Sequence, residues 1–164
     1  MIRATTDELL AYLADLVEEA ERYGAAVETP DGEEPAWVRT RPDLLVMRLA
    51  IHPPVAARQG KVEIELREHW IRTGRELWDA ADYGYELRDE QVGYRRALHR
   101  HHPDRFIRAY DVATHEHCEV PIGRVACGHY AGVPLSGAID GLRRLYGMWL
   151  EGRPPDCAAL RCLS

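Results

Sequence analysis

The sequence predicts a single α+β domain: an antiparallel meander of about five to seven strands flanked by an N-terminal and a C-terminal amphipathic helix. Three observations carry this expectation. Apolar residues recur at helical spacing near the start of the chain and again near its end, and between them lie short runs with a period of two. The turns joining those runs are too short for parallel crossovers, so neighbouring strands must run antiparallel. A length of 164 residues suits one domain, placed at residues 1–155, with residues 156–164 expected as a loose tail.

The first helix is expected over residues 6–23, where Leu9, Leu10, Leu13, Leu16, Val17 and Ala20 form one stripe with acidic residues between them. Thr5-Thr6-Asp7-Glu8 fits a capping box at its start, and Gly24 is suited to end it. A polar loop, Glu28 to Pro35, follows. Strand-like runs are then read at Leu44 to Ile51, Val62 to Ile71, Tyr83 to Leu87, Tyr94 to His99 and Phe106 to Val112, separated by turn-forming residues such as His52-Pro53-Pro54 and Asp89-Glu90. The stretch Trp70 to Ala81 fits either a strand or a helix, since Ile71, Arg75 and Trp78 also match helical spacing. Ser136 is placed to cap a last helix carrying Ile139, Leu142, Leu145, Tyr146, Trp149 and Leu150, which Gly152 and Pro154-Pro155 end. Both helices are expected to cover one face of the sheet.

Hydrophobic residues at 46% and charged residues at 29% exclude general disorder. Charge is distributed unevenly: residues 1–93 hold 11 Lys+Arg and 20 Asp+Glu, a balance of −9, whereas residues 94–164 hold 10 and 7, a balance of +3. Six of the 8 histidines lie in that second part, so a polyanion site is expected there. No stretch approaches the ~20 apolar residues that a membrane span needs, and the first residues lack an apolar signal core, so no membrane association and a cytoplasmic location are expected. Cys118, Cys127, Cys157 and Cys162 are too few for a disulfide framework in a chain that can build its own core, and are read as reduced thiols or metal ligands.

The richest stretch for chemistry runs from Phe106 to His129. His115 and His117 share one face of a strand, as do Cys127 and His129, and Val120-Pro121-Ile122-Gly123 between the pairs reads as a turn. If Glu119 faces Val125, then His115 faces His129 and His117 faces Cys127, giving a four-ligand zinc site; a slip of one residue separates the pairs. The other reading of the same histidines is an exposed hairpin that binds nothing. His117-Cys118-Glu119 with Pro155-Asp156-Cys157 and Cys162 partly matches the zinc-deaminase signature, departing from it in cysteine spacing. The alternating Glu63 and Glu65 suit Mg²⁺ in principle, and equally the exposed side of a strand.

A metal-free reading rests on histidine titrating near neutral pH: two imidazoles act as acid and base while an arginine stabilises a phosphorane. RNA suits such a trio, because its 2′-hydroxyl serves as nucleophile. His115 and His129 are the candidate acid–base pair, Arg108 the cation and Asp111 the group that orients an imidazole. Tyr94, Arg96, Tyr110 and Arg105 are candidates for holding RNA, within a basic run that includes His99-Arg100-His101-His102 and Arg95.

Tyr83-x-Tyr85 and Tyr94-x-x-x-Leu98, then Arg108-x-Tyr110-Asp111 leading into His115, then His129 and a helix from Ser136, resemble the TumE-type toxins of bacterial toxin–antitoxin pairs. The resemblance covers about Leu44 to Leu150, with Ala109 interrupting the R-Y-D pattern. It implies a toxin acting on RNA and neutralised by a co-encoded antitoxin, and with the metal-free reading of the histidines no cofactor is expected. Two other functions are weighed beside it: a non-enzymatic interaction module whose acidic first helix, through Glu18, Glu19 and Glu21, binds a basic protein partner, and a small zinc protein holding its metal at His115, His117, Cys127 and His129.

Overall fold

Alternation decides the architecture, because a strand with apolar residues at every second position must bury one face and leave the other open. The computed structural model describes residues 3–54, 62–101, 108, 112–123, 130–132 and 134–150. Among these, nine strands form one antiparallel sheet: β1 (Arg3–Thr5), β2 (Ala26–Glu28), β3 (Trp37–Arg41), β4 (Leu44–His52), β5 (Val62–Arg72), β6 (Leu77–Asp89), β7 (Tyr94–Arg100), β8 (Thr114–Glu119) and β9 (Tyr130–Ala131). The helices are α1 (Thr6–Arg22) and α2 (Ala138–Leu150).

The order β2-β4-β5-β6-β7-β8-β9 is the expected meander, with β1 added to β6 and β3 to β4. The strands beyond the expected number are short ones at the periphery, whose two to five residues carry too little alternation to read from sequence. Trp70 to Ala81 resolves as the end of β5, a turn and the start of β6. A register shift between His69 and Trp70 keeps Trp70 and Trp78 together in the core despite the break in alternation.

Met47, Leu49, Ile51, Ile64, Leu66, Tyr85 and Leu87 form the helix-facing side of the central strands. They pack against Leu13, Leu16 and Ala20 of α1 and Leu142 and Leu145 of α2, so both helices cover one face, as expected. Each such aliphatic side chain contributes about 1.5–3 kcal/mol through burial. A smaller cluster of Ala4, Leu9, Leu45, Trp70 and Trp78 closes the end near β1.

The expected caps form. Thr5 Oγ1 accepts from the Glu8 amide, and the Glu8 carboxylate accepts from the Thr5 amide at 2.7 Å. Gly24, with φ of 70°, follows the end of α1. The backbone between Glu119 and Gly123 turns through a cis Val120–Pro121 bond, with the Gly123 amide donating to Glu119 at 2.7 Å.

Candidate functional site

The face of the sheet turned away from both helices carries the site. Its side chains follow from register alone: Gly84 on β6 pairs with His99 on β7, and His99 pairs with His115 on β8. His101 and His117 lie two residues along from His99 and His115, hence on the same face. Four histidines therefore meet across two strands. Their ring centroids are 5.1 Å apart for His99 and His115, 4.8 Å for His101 and His115, and 5.2 Å for His99 and His117.

Next to them the surface is opened by Gly84. A Cβ at that position would lie 3.4 Å from Nη2 of Arg67 and 3.5 Å from Cδ2 of His99, so the missing side chain lets a guanidinium and an imidazole converge over bare backbone. Arg67 is exposed and has no ion-pair partner among the described residues. Beside it on β5, His69 directs Nδ1 to Asp82 Oδ1 at 2.8 Å, and this pairing leaves Nε2 as the basic position of the ring. At the opposite end of the face, Arg95 bridges Glu86 and Glu119.

The histidines are not equally accessible. His115 is 2% exposed, while His99, His101 and His117 are half-buried. Burial, reinforced by the neighbouring His117 and His101, pushes His99 down to about 3, so its imidazole is neutral at physiological pH. Gly132 permits the chain after β9 to lie against β8, since a Cβ there would sit 2.8 Å from the His115 amide nitrogen.

The expected site residues fare differently. His115 is in the cluster. Arg108 is exposed and helical, and Val112 lies outside any strand, so neither of the two described residues from Phe106 to Val112 is in the strand expected there. His129, Asp111, Tyr110, Arg105 and Cys127 lie outside the described residues, as does the tail at 156–164. Tyr94 and Arg96 are corrected: at 3% and 2% exposure they project under α2, because their even-numbered positions on β7 face the helices, and neither can meet RNA. Arg96 instead pairs with Glu116 at 2.7 Å. The four-ligand register is likewise not the one formed, since β8 places His115 opposite Ala131 and not opposite His129.

Cys118 is buried and disulfide-bonded, with its partner outside the described residues, which corrects the reading of that thiol as reduced or metal-ligating. His117 and Glu119 of the partial deaminase match lie on a strand, where Glu119 accepts from Arg95 and from the Gly123 amide. Glu63 is exposed and Glu65 pairs with Arg48 at 3.3 Å, the ordinary behaviour of a solvated strand face. The basic run from Arg95 to His101 is split by alternation, with the odd-numbered residues on the open face and the even-numbered ones on the helix side.

His69, Asp82 and Arg67 are absent from the expected site, and His99 and His101 enter it only as part of a basic run, because the constellation is assembled laterally from four strands. The available signal was the odd parity shared by His99, His101, His115 and His117. Fold and site together define an α+β protein with a histidine-rich open sheet face. Comparisons with protein-family models, with curated proteins and with solved structures give no match. No described helix is long and apolar enough to cross a membrane.

Proposed function

We propose that this chain is a toxin-like protein of a toxin–antitoxin pair that cleaves RNA at the open histidine face. The observation that supports the reading is the His69–Asp82 pair beside Arg67, which has no ion-pair partner among the described residues, and a group of imidazoles, parts that acid–base phosphodiester cleavage uses. Asp82 holds His69 so that Nε2 accepts the proton of a ribose 2′-hydroxyl. The 2′-oxygen attacks phosphorus, Arg67 stabilises the charge on the phosphoryl oxygens, and the bond from phosphorus to the 5′-oxygen breaks as that oxygen takes a proton from water. The products are a 2′,3′-cyclic phosphate and a 5′-hydroxyl. His115, too deeply placed to touch substrate, supports the other rings.

Incubation of the purified protein with RNA tests this reading. Cyclic-phosphate ends are expected from the native chain, with rates lowered about 10²-fold or more by His69→Gln and by Asp82→Asn. No cleavage by the native chain would remove the reaction, and unchanged rates in both variants would remove the site. Expression of the native chain alone is expected to arrest growth.

A partner-binding role is favoured by a separate feature. A groove of about 610 Å³ of mixed polar and apolar lining runs along α1, with Leu10, Val17 and Pro35 on its walls and Glu18, Glu21 and Glu34 among its lining residues. A basic amphipathic helix of an antitoxin fits that combination. Glu19 does not contribute to it, because its carboxylate is buried against Arg143 and Tyr23. Glu18→Gln with Glu21→Gln is expected to weaken antitoxin binding and to leave RNA cleavage unchanged.

A further inference from the structure

We propose that His99, His101 and His115 form a binding site for a divalent transition metal, zinc in the first instance. One candidate ligand nitrogen from each of the three rings can be chosen so that all lie within 4.8 Å of one another. A tetrahedral zinc ion with bonds of about 2.0–2.1 Å to nitrogen holds its ligands roughly 3.4 Å apart, so closure asks for about an ångström of movement. That is within reach of rotation about the side-chain bonds of imidazoles already centred 4.8 to 5.9 Å apart.

Backbone hydrogen bonds supply the arrangement. His99 lies on β7 with His115 directly across from it on β8, and His101 follows the last residue of β7, where its amide donates to the Ala113 carbonyl at 3.0 Å. The donor set selects the ion: three imidazoles and no carboxylate favour zinc, copper or nickel over magnesium and calcium.

Three protein ligands leave a fourth position open, the pattern of catalytic zinc sites and not of structural ones. His117, with its centroid 5.1 Å from that of His115, lies close enough to hydrogen-bond whatever occupies it. Arg67, converging on Gly84 from the other side, is a cation beside a cation site and favours an anionic fourth ligand. A phosphate oxygen satisfies both. The inference deepens the proposed function, because the ion would sit where phosphoryl oxygens are expected, but its test involves no RNA.

Chain purified without a polyhistidine tag and treated with chelator is titrated with ZnCl₂ by calorimetry and with CoCl₂ by visible absorption. About one equivalent of zinc is expected, with the intense ligand-field band of tetrahedral Co²⁺. His101→Ala and His99→Gln are expected to weaken binding by about 100-fold or more, while His52→Ala, on the far side of the sheet's edge strands, leaves it unchanged. His115→Ala removes a buried ring, so far-UV circular dichroism accompanies every variant and the half-buried His101 carries the decision. Absence of binding by the native chain would overturn the site, as would native-like binding by folded His101→Ala. Zinc binding without RNA cleavage would keep the site and remove the proposed reaction, whereas cleavage without zinc binding would do the reverse.

Discussion

Tyr85 and Glu68 meet inside the core, the tyrosine hydroxyl donating to Glu68 Oε1 at 2.5 Å. The same carboxylate accepts from the Tyr12 hydroxyl at 2.8 Å and from Trp70 Nε1 at 2.9 Å, so one buried acid ties β5 to β6 and to α1. Tyr12 in turn accepts from the Ala138 amide at the start of α2. Burial and the adjacent Glu68 raise the Tyr12 and Tyr85 hydroxyls well above their ordinary range, which keeps both as donors at any pH the fold survives.

Glu68→Ala is therefore expected to strip three donors of their acceptor and to cost more than about 3 kcal/mol, whereas Glu68→Gln, which retains a carbonyl acceptor, costs less. Urea unfolding of the two variants checks the order. A Glu68→Ala protein within about 1 kcal/mol of native would show that the network adds little.

Gly141 is where α2 touches the sheet. A Cβ at that position would lie 2.3 Å from Tyr85 Cδ2, so Gly141→Ala must push the helix off the ring, in spite of alanine's higher helix propensity. A loss of about 1–3 kcal/mol is expected. Gly147 has open space where its Cβ would be, and Gly147→Ala should instead stabilise by about 0.5–1 kcal/mol. Thermal unfolding of the pair separates contact from propensity, and equal shifts would refute the packing argument.

Arg96 and Glu116 form an ion pair with both side chains less than 5% exposed. Glu116→Ala leaves a buried guanidinium without its partner and is expected to cost about 3–5 kcal/mol, while the double replacement Arg96→Met with Glu116→Leu recovers most of that loss. Chemical denaturation of the single and double variants gives the coupling, and additive losses would contradict it.

Acid sensitivity has a source at the junction of the helices. The hydrogen bond from Arg143 to Glu19, at 2.7 Å, holds this carboxyl below its usual range, with Tyr23 and Arg22 assisting. A depressed value means that the unfolded chain binds the proton first as pH falls. The contribution is thus complete above about pH 4.5 and is lost as pH drops through the folded value. The difference in Tm between native and Glu19→Gln protein should shrink from pH 7 to pH 3; a constant difference would rule Glu19 out.

Much of the fold was legible because it rests on local rules. The Thr5 cap, the α1 stripe, four of the strand runs and the last helix were read from spacing, since burial of one face imposes a period that survives in the sequence. Short strands such as β1 and β9 were not, because two or three residues express no period and are recruited by a longer neighbour. For the site, parity was readable but register was not. His115 is legible within a His-rich stretch, yet its partners His99 and His101 read only as part of a basic run, and His69 carries no signal of a site. Tyr94 and Arg96 were misplaced for the complementary reason: residue chemistry was read without the face that alternation assigns to it.

β8 shows what that alternation demands of the chain. His115 and His117 occupy its open face, and Glu116 and Cys118 its buried one, holding the ion pair and the disulfide. Six residues thus carry two interleaved messages, one addressed to the histidine face and one to the helix side. Inserting or deleting a single residue within the strand would exchange the messages, setting imidazoles under α2 and a carboxylate on the histidine face. Changes of two residues preserve the assignment, so the segment is expected to tolerate length variation only in even steps.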